Sequence, residues 1–401
     1  SKIVEAMINV EKLVIEAPVG SPNNDKNLKL AKNSISKHNY EVINLPFECK
    51  LWTPGPSSLK QQEKKIPIIP SPFSSSFQGK GKATFCPSWE CLEEFDKDFL
   101  FLKEEASKET IMPLNFPFYF PEDHKEFLET LEDIRPKCVI AITGKQKMSG
   151  LDPFPLFEDG NFKFPSAYIS KQTNLENFDF QREVEIVIDS KTKEVESQQL
   201  IFQKKGKLND IITICAHMDT KYGTKGALDN ASGLYTILRT AELISSKSTR
   251  YTIHVVPFNG EEYFEASGQV KYLNWIKEKQ HTIKLVLNVD AVGFKESKSA
   301  ISFYNLDPKK IEEVMQVAEK SQIVRGEEWF AGDHAIFAQQ GIPCFAFTLE
   351  DMFERGIDVT HTTKDEAGLI DVKELEKLAD GIVEILSEIE KHNMLQQNEN
   401  K

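Results

Sequence analysis

The chain has 401 residues, with 49 Lys and Arg against 62 Asp and Glu and a net charge of −13. Its 40% hydrophobic and 28% charged fractions are those of an ordinary globular protein, and this length suggests two or three domains. No apolar run approaches the roughly 20 residues of a bilayer span, and the acidic balance speaks against a nucleic-acid or anionic-membrane partner, which demands basic surface.

The first fifty residues predict α/β structure. Ile3, Val4, Met7, Val10, Leu13 and Val14 recur at helical steps, and a turn follows at Pro18–Pro22. A second helix carries Leu28, Ala31 and Ile35 on one face, and Glu41–Leu45 is a strand. From 52 to 208 the texture changes to a β-rich module with strand-like pieces at Ile66–Pro70, Cys138–Thr143, Ala167–Ser170 and Val184–Asp189, and one helix at His124–Ile134. Gly79–Thr84 lacks the spacing of a phosphate loop and predicts an exposed basic turn. The α/β rhythm returns from 209, with strands at Ile211–Ala216, Tyr251–Phe258, Leu285–Val289 and Cys344–Thr348. Helices are predicted at Ala231–Ile244, Ala266–Lys279, Pro308–Lys320 and Val372–Ile389, before a frayed polar tail at Asn393–Lys401. Such alternation predicts a mostly parallel central sheet flanked by helices. The expected architecture is one α/β domain, 1–51 and 209–401, interrupted by a β-rich insertion at 52–208.

Six cysteines (Cys49, Cys86, Cys91, Cys138, Cys215, Cys344) are too few for a disulfide framework, though a Cys86–Cys91 bridge stays open. No signal-peptide pattern opens the chain, which favours a cytoplasmic location; Ser1 in place of Met keeps a removed leader, and so secretion, open.

Ligand groups in parallel α/β sheets sit at the carboxyl ends of strands. There the sequence places His217-Met-Asp219, Asp229-Asn-Ala-Ser-Gly233, Glu261-Glu262, Asp290 and His361-Thr-Thr-Lys-Asp365. Each alone has an ordinary explanation: a packed histidine, a helix cap, a solvated pair or a turn. Converging on one crevice, the acids would repel unless cations hold them. Two Zn²⁺ ions are balanced by Asp229, Glu262, Asp290 and one bridging hydroxide, and His217 and His361 add nitrogen donors that favour zinc over magnesium or calcium. Asp229 would bridge the ions, with His217 and Asp290 on one and Glu262 and His361 on the other. Asp219 is placed to accept the second ring N–H of His217, and Glu261 remains as a general base. Cobalt and manganese are alternative metals.

This ordered set resembles the M28 family of zinc exopeptidases, the aminopeptidase Y and bacterial leucyl aminopeptidase group. The run Gly332-Asp-His-Ala-Ile-Phe337 with Gly341-Ile-Pro343 is similar to that family's stretch before its last ligand. The insertion resembles the family's protease-associated (PA-like) domain at Phe118–Pro121, Ile134–Ile140 and Phe164–Ala167. The resemblance implies the ligands His217, Asp229, Glu262, Asp290 and His361, the base Glu261, the supporting Asp219, and a cis peptide at Asp229–Asn230. It makes the Asn230-Ala-Ser232 glycosylation sequon a chance match. It implies an aminopeptidase acting on peptides with a free N-terminus, with a substrate pocket drawn partly from the 332–343 segment, Asp333 and His334 included. A carboxypeptidase or dipeptidase of the same family would need basic groups, for which Arg325 and Arg355 are candidates. A one-zinc glutaminyl cyclase or a non-catalytic binding protein on the same fold are the further alternatives.

Overall fold

The computed structural model describes residues 8–395. Contacts divide the chain into two compact units, one made of residues up to Cys49 and from Glu196 onward, the other of Lys50–Val195. Residues 196–208, grouped with the insertion on sequence texture, lie in the first unit, because they complete a strand of its sheet.

The large sheet is built from β1 (Glu41–Pro54), β2 (Ser190–Lys204), β3 (Ile211–His217), β4 (Thr252–Phe258), β5 (Ile283–Val289), β6 (Ser299–Tyr304), β7 (Val324–Arg325) and β8 (Cys344–Leu349). The helices of the first unit are α1 (Val10–Leu13), α2 (Pro22–Ser36), α3 (Ser232–Ile244), α4 (Ser267–Glu278), α5 (Pro308–Lys320), α6 (Ala335–Ala338) and α7 (Val372–Lys391). Of the stripe predicted at the amino end, Ile3, Val4 and Met7 lie outside the described residues, as does most of the predicted frayed tail.

The eight-stranded sheet has the order β1-β2-β4-β3-β5-β8-β6-β7. Its centre is parallel: β4 on β3, β3 on β5 and β5 on β8. The strands β2 and β6 run antiparallel to their neighbours β4 and β8. All seven residues of β3 are buried, as expected of a strand covered on both faces. Ile212, Ile214 and Ala216 meet Leu28 of α2, Leu234 of α3 and Leu378 of α7 on one face. Ile211 and Cys215 meet Tyr272 and Ile276 of α4 and Phe337 of α6 on the other. Side chains alternate across a strand, so every second residue serves each core.

Helix starts follow local chemistry. Ser21 caps α2 through the Asn24 N–H with Pro22 in the first turn, and Asp307 caps α5 through Lys310 with Pro308 behind it. The strand β6 was not apparent in the sequence because its serines interrupt the apolar pattern, yet all six of its residues are buried. None of the described helices is long and apolar enough to cross a membrane.

The second unit holds a five-stranded and a four-stranded sheet. Phe99, Phe101 and Ile140 share a core with Leu59 and Ile186, while Phe127, Leu128 and Leu131 of the helix Glu122–Ile134 pack against Leu100, Leu102 and Val139. The expected basic turn at Gly79–Thr84 is corrected: it lies across two strands, Phe77–Gly81 and Ala83–Cys86, with alternate residues packed inward. Among the described residues no disulfide joins any of the six cysteines, so the Cys86–Cys91 bridge is not formed.

His254 of β4 is fully buried, with Nδ1 2.9 Å from the Tyr272 hydroxyl and Nε2 2.9 Å from Gln203 Oε1. Burial, with the His281 imidazole nearby as a smaller contributor, pushes its pKa down to about 3. As pH falls through about 6.5 the unfolded imidazole takes a proton that the folded one refuses, so acid favours the unfolded chain across that window. Urea unfolding between pH 7 and 5 should show wild-type stability falling more steeply than that of His254→Gln, by up to about 1.4 kcal/mol per pH unit. Equal slopes would contradict the assignment.

Candidate metal centre

The fully buried strand β3 delivers His217 at its last position, opposite Phe258 at the end of β4. The chain then passes Asp219 and reaches Gly226, whose φ of 59° is left-handed; a Cβ there would lie 2.4 Å from the Asp229 carbonyl oxygen, so the turn admits only glycine. Asp229 follows, its backbone outside helical geometry, and the Asp229–Asn230 peptide is cis. Asn230 is buried; its Nδ2 donates to Val289 O at 2.9 Å, and its Oδ1 accepts from Gly233 and Ala291 N–H at 3.1 Å each. The sequon asparagine is therefore an internal brace tying the start of α3 to the end of β5, buried away from the surface where a glycan would be attached.

These elements bring the predicted residues together. His217 Nε2 lies 2.9 Å from Asp229 Oδ1, 3.5 Å from Glu261 Oε2 and 3.6 Å from Asp290 Oδ2. His361 Nε2 lies 3.0 Å from Asp229 Oδ2 and 2.9 Å from Glu262 Oε1. Asp229 thus faces one imidazole with each oxygen. Three overlapping groups of ligand atoms gather here, each within 4.8 Å: His217 with Asp229 and Asp290, Asp229 with Glu262 and His361, and His217 with Glu261 and Glu262. Lys221 Nζ stands 3.6 Å from Glu262 Oε2.

The donor chemistry can be tested for fit to a cation. His217 Nδ1 is 3.0 Å from the Asp219 carbonyl oxygen, a pure acceptor, so Nδ1 carries the proton. In the neutral ring Nε2 is then a lone pair aimed at carboxylate oxygens, an arrangement that repels unless a proton or a metal ion sits between them. Glu261 Oε2 is buried without a hydrogen-bond partner, which fits an atom kept for a ligand. The residues fit a metal.

Charge displacements show the same tension. Burial opposes a charged His217, yet Glu261, Asp290, Asp219 and Asp229 outweigh it and hold the ring well above its usual pKa. Burial likewise works against His361, but Glu262 and Asp229 lift it to about 10. Burial works to raise Asp229, but the two imidazoles hold it well below the carboxylate range. Burial, with Glu262, pushes Glu261 well above it, and burial does the same to Asp290. A proton on each ring stands in for the cations these acids would otherwise hold.

Several expectations are corrected. The carboxylate of Asp219 does not take the ring N–H of His217; Oδ1 is 3.7 Å away and the backbone carbonyl takes that proton. Instead the carboxylate accepts the N–H of Glu261 at 3.1 Å and of Glu262 at 3.0 Å, which fixes the β4 loop. His334 is wholly buried; Nε2 lies 2.7 Å from Trp329 O and Nδ1 3.2 Å from Asn288 Nδ2, so neither nitrogen is left for a substrate. Asp333 is buried, with Oδ1 bound by Gln269 Nε2 at 2.8 Å and Oδ2 without a partner; burial pushes it up to about 6. Arg355 is committed to Asp351 and lies 4.4 Å over the Phe294 ring, and Arg325 lies over Phe303.

Sequence reading gave no role to Asp365, whose buried carboxylate accepts the N–H of Leu228 at 2.6 Å and of Asp229 at 3.1 Å. Its one signal was an acid close behind His361 on the same loop.

A largely parallel α/β sheet thus carries acids and histidines clustered at its carboxyl edge. Residues 200–386 match the model of Peptidase family M28. Among solved structures, the aminopeptidase from Aneurinibacillus sp. strain AM-1 is similar with a TM-score of 0.70 at 19% identity, covering 95% of this chain and 94% of its own. A Bacillus subtilis zinc aminopeptidase gives 0.70 at 20% identity, with coverages of 94% and 93%. A Peptidase M28 precursor from Shewanella amazonensis SB2B gives 0.62 at 18%, with 97% and 92%. No curated protein matches the chain.

Adding a divalent transition metal to chelator-stripped protein, at about a hundred times its Kd, should stabilise the fold by roughly 2.7 kcal/mol. For a domain of this size that raises Tm by roughly 5–10 °C. Calorimetry showing no shift would mean the cluster holds no metal.

Proposed function

We propose that the protein is a zinc-dependent aminopeptidase that removes residues from the free N-terminus of peptides. The coarser statement, a metallo-exopeptidase, rests on the match to Peptidase family M28 at 200–386 and on the aminopeptidase structures of the same fold. The observation that carries the finer reading is the pair of imidazole Nε2 atoms facing the two oxygens of one carboxylate, Asp229. That arrangement suits two ions sharing a bridge. His217 and Asp290 would hold one zinc, Glu262 and His361 the other, and Asp229 both.

When bound, the ions supply Lewis acidity toward the scissile carbonyl and activate the attacking water. The chain supplies the rest. Glu261 is the carboxylate left over, with Oε2 3.5 Å from His217 Nε2 and no hydrogen bond of its own, so it is free to take the proton of the attacking water and pass it to the leaving amine. Asp219 keeps Glu261 and Glu262 in register by holding both of their N–H groups.

The choice of a free N-terminus over a terminal carboxylate is supported by the similar aminopeptidase structures, and Arg355, a candidate for holding a terminal carboxylate, is paired with Asp351. Residues 50–195 form the inserted unit, which we read as a PA-like module.

Zinc-loaded protein should hydrolyse peptides with a free amine and leave N-acetylated peptides intact. Equal cleavage of both, with a need for a free carboxylate, would overturn the assignment. Glu261→Gln should retain zinc and lose about 10²–10⁴-fold in kcat. Full activity in that variant would remove Glu261 from the mechanism.

A further inference from the structure

Two buried carboxylates beside the centre each receive a pair of consecutive backbone N–H groups. Asp219 does so for Glu261 and Glu262, and Asp365 does so for Leu228 and Asp229. The second clamp has no place in the scheme so far. We infer that Asp365 is a positioning residue that sets the backbone of Asp229, and so the placing of both metals, by locking the Asp229 turn to the loop that carries His361. The inference rests on the reading of Asp229 and His361 as zinc ligands.

Four hydrogen bonds join the two segments. Thr224 Oγ1 donates to Thr362 O at 2.8 Å, Ala227 N–H to Asp365 O at 3.5 Å, and Leu228 and Asp229 N–H to the two carboxylate oxygens. The bonds to Leu228 and Asp229 are unusual in need. Asp229 and Asn230 depart from helical geometry, so these N–H groups are not taken up by a regular helical ladder. A buried donor left unmade is costly, and the Asp365 carboxylate meets the two N–H groups with one oxygen each.

Placement separates this role from simple fold maintenance. Both ends of the stitch bear a ligand: His361 at one, Asp229 at the other, their side chains 3.0 Å apart. A shift of the Asp229 peptide would move an oxygen away from His361 and the other away from His217 together. Outer partners that orient ligands in this way typically change metal affinity by about 10–100-fold when removed.

The test is zinc affinity of the folded apoprotein, measured by competition with a chromophoric chelator, for wild type, Asp365→Asn and Asp365→Ala. Glu376→Gln serves as a control for fold effects; Glu376 accepts from Tyr235 and Arg239 between α3 and α7, outside the metal centre. Asp365→Asn keeps one acceptor and turns an NH₂ toward the other N–H, so zinc affinity should fall about tenfold, and Asp365→Ala should fall further. At saturating zinc, kcat should drop with KM unchanged. Glu376→Gln should lower Tm and leave zinc affinity alone. Folded Asp365 variants that bind zinc like wild type, or lose no more affinity than Glu376→Gln, would overturn the inference while leaving the proposed function intact. Failure of Asp365→Asn to fold would also overturn it, because the role would then be structural. A wild-type protein that takes up no zinc would overturn the proposed function, and the inference with it.

Discussion

Negative charge is forced together where the parallel sheet ends, and the rest of the site is organised around that constraint. Asp229, Glu261, Glu262 and Asp290 bring their oxygens to the same few ångströms as the Nε2 atoms of His217 and His361. The hydrogen bond from His217 Nδ1 to a backbone carbonyl turns the other nitrogen into an acceptor among acceptors. Such a cluster persists in a fold only when cations offset it, and the donor types select a borderline metal such as zinc over a hard one.

Rigidity is supplied by buried polar groups. Asp219 holds the Glu261-Glu262 turn, Asp365 holds the Leu228-Asp229 turn, and Asn230 ties the start of α3 to β5. Each closes buried backbone N–H or C=O groups that irregular geometry has left without helical or ladder partners. Beneath them the two faces of β3, β4 and β5 are filled by aliphatic and aromatic side chains, so that the loops rest on strands with little room to shift. The chemistry sits on loops, and the loops are tied to a packed sheet.

Much of this was legible in the sequence. The apolar runs Ile211–Ala216 and Tyr251–Phe258 announce buried parallel strands, and acids and histidines placed at their ends announce a site, because strand ends are where such a sheet exposes polar groups. What stayed hidden depends on orientation. Asp219 was assigned to the correct neighbourhood, but which of its oxygens meets His217 is decided by a turn of the backbone. His334 read as a pocket residue because its motif lies next to the ligands, whereas its ring is buried between Trp329 and Asn288. Asp365 carried no motif, since a carboxylate that binds backbone N–H groups across 136 and 137 positions leaves no local pattern. The strands β6 and Phe99–Leu102 were missed for the opposite reasons: serines broke the pattern in one, and a short, wholly apolar run in the other gave no period to read.

The central claim is that Asp229 is shared by two metal ions. Diffraction from zinc-loaded crystals, recorded on either side of the zinc absorption edge, tests it most directly. The account predicts two anomalous peaks roughly 3.5–4 Å apart, flanking the Asp229 carboxylate, one toward His217 and the other toward His361. A single peak, or a pair that leaves Asp229 uncoordinated, would contradict it.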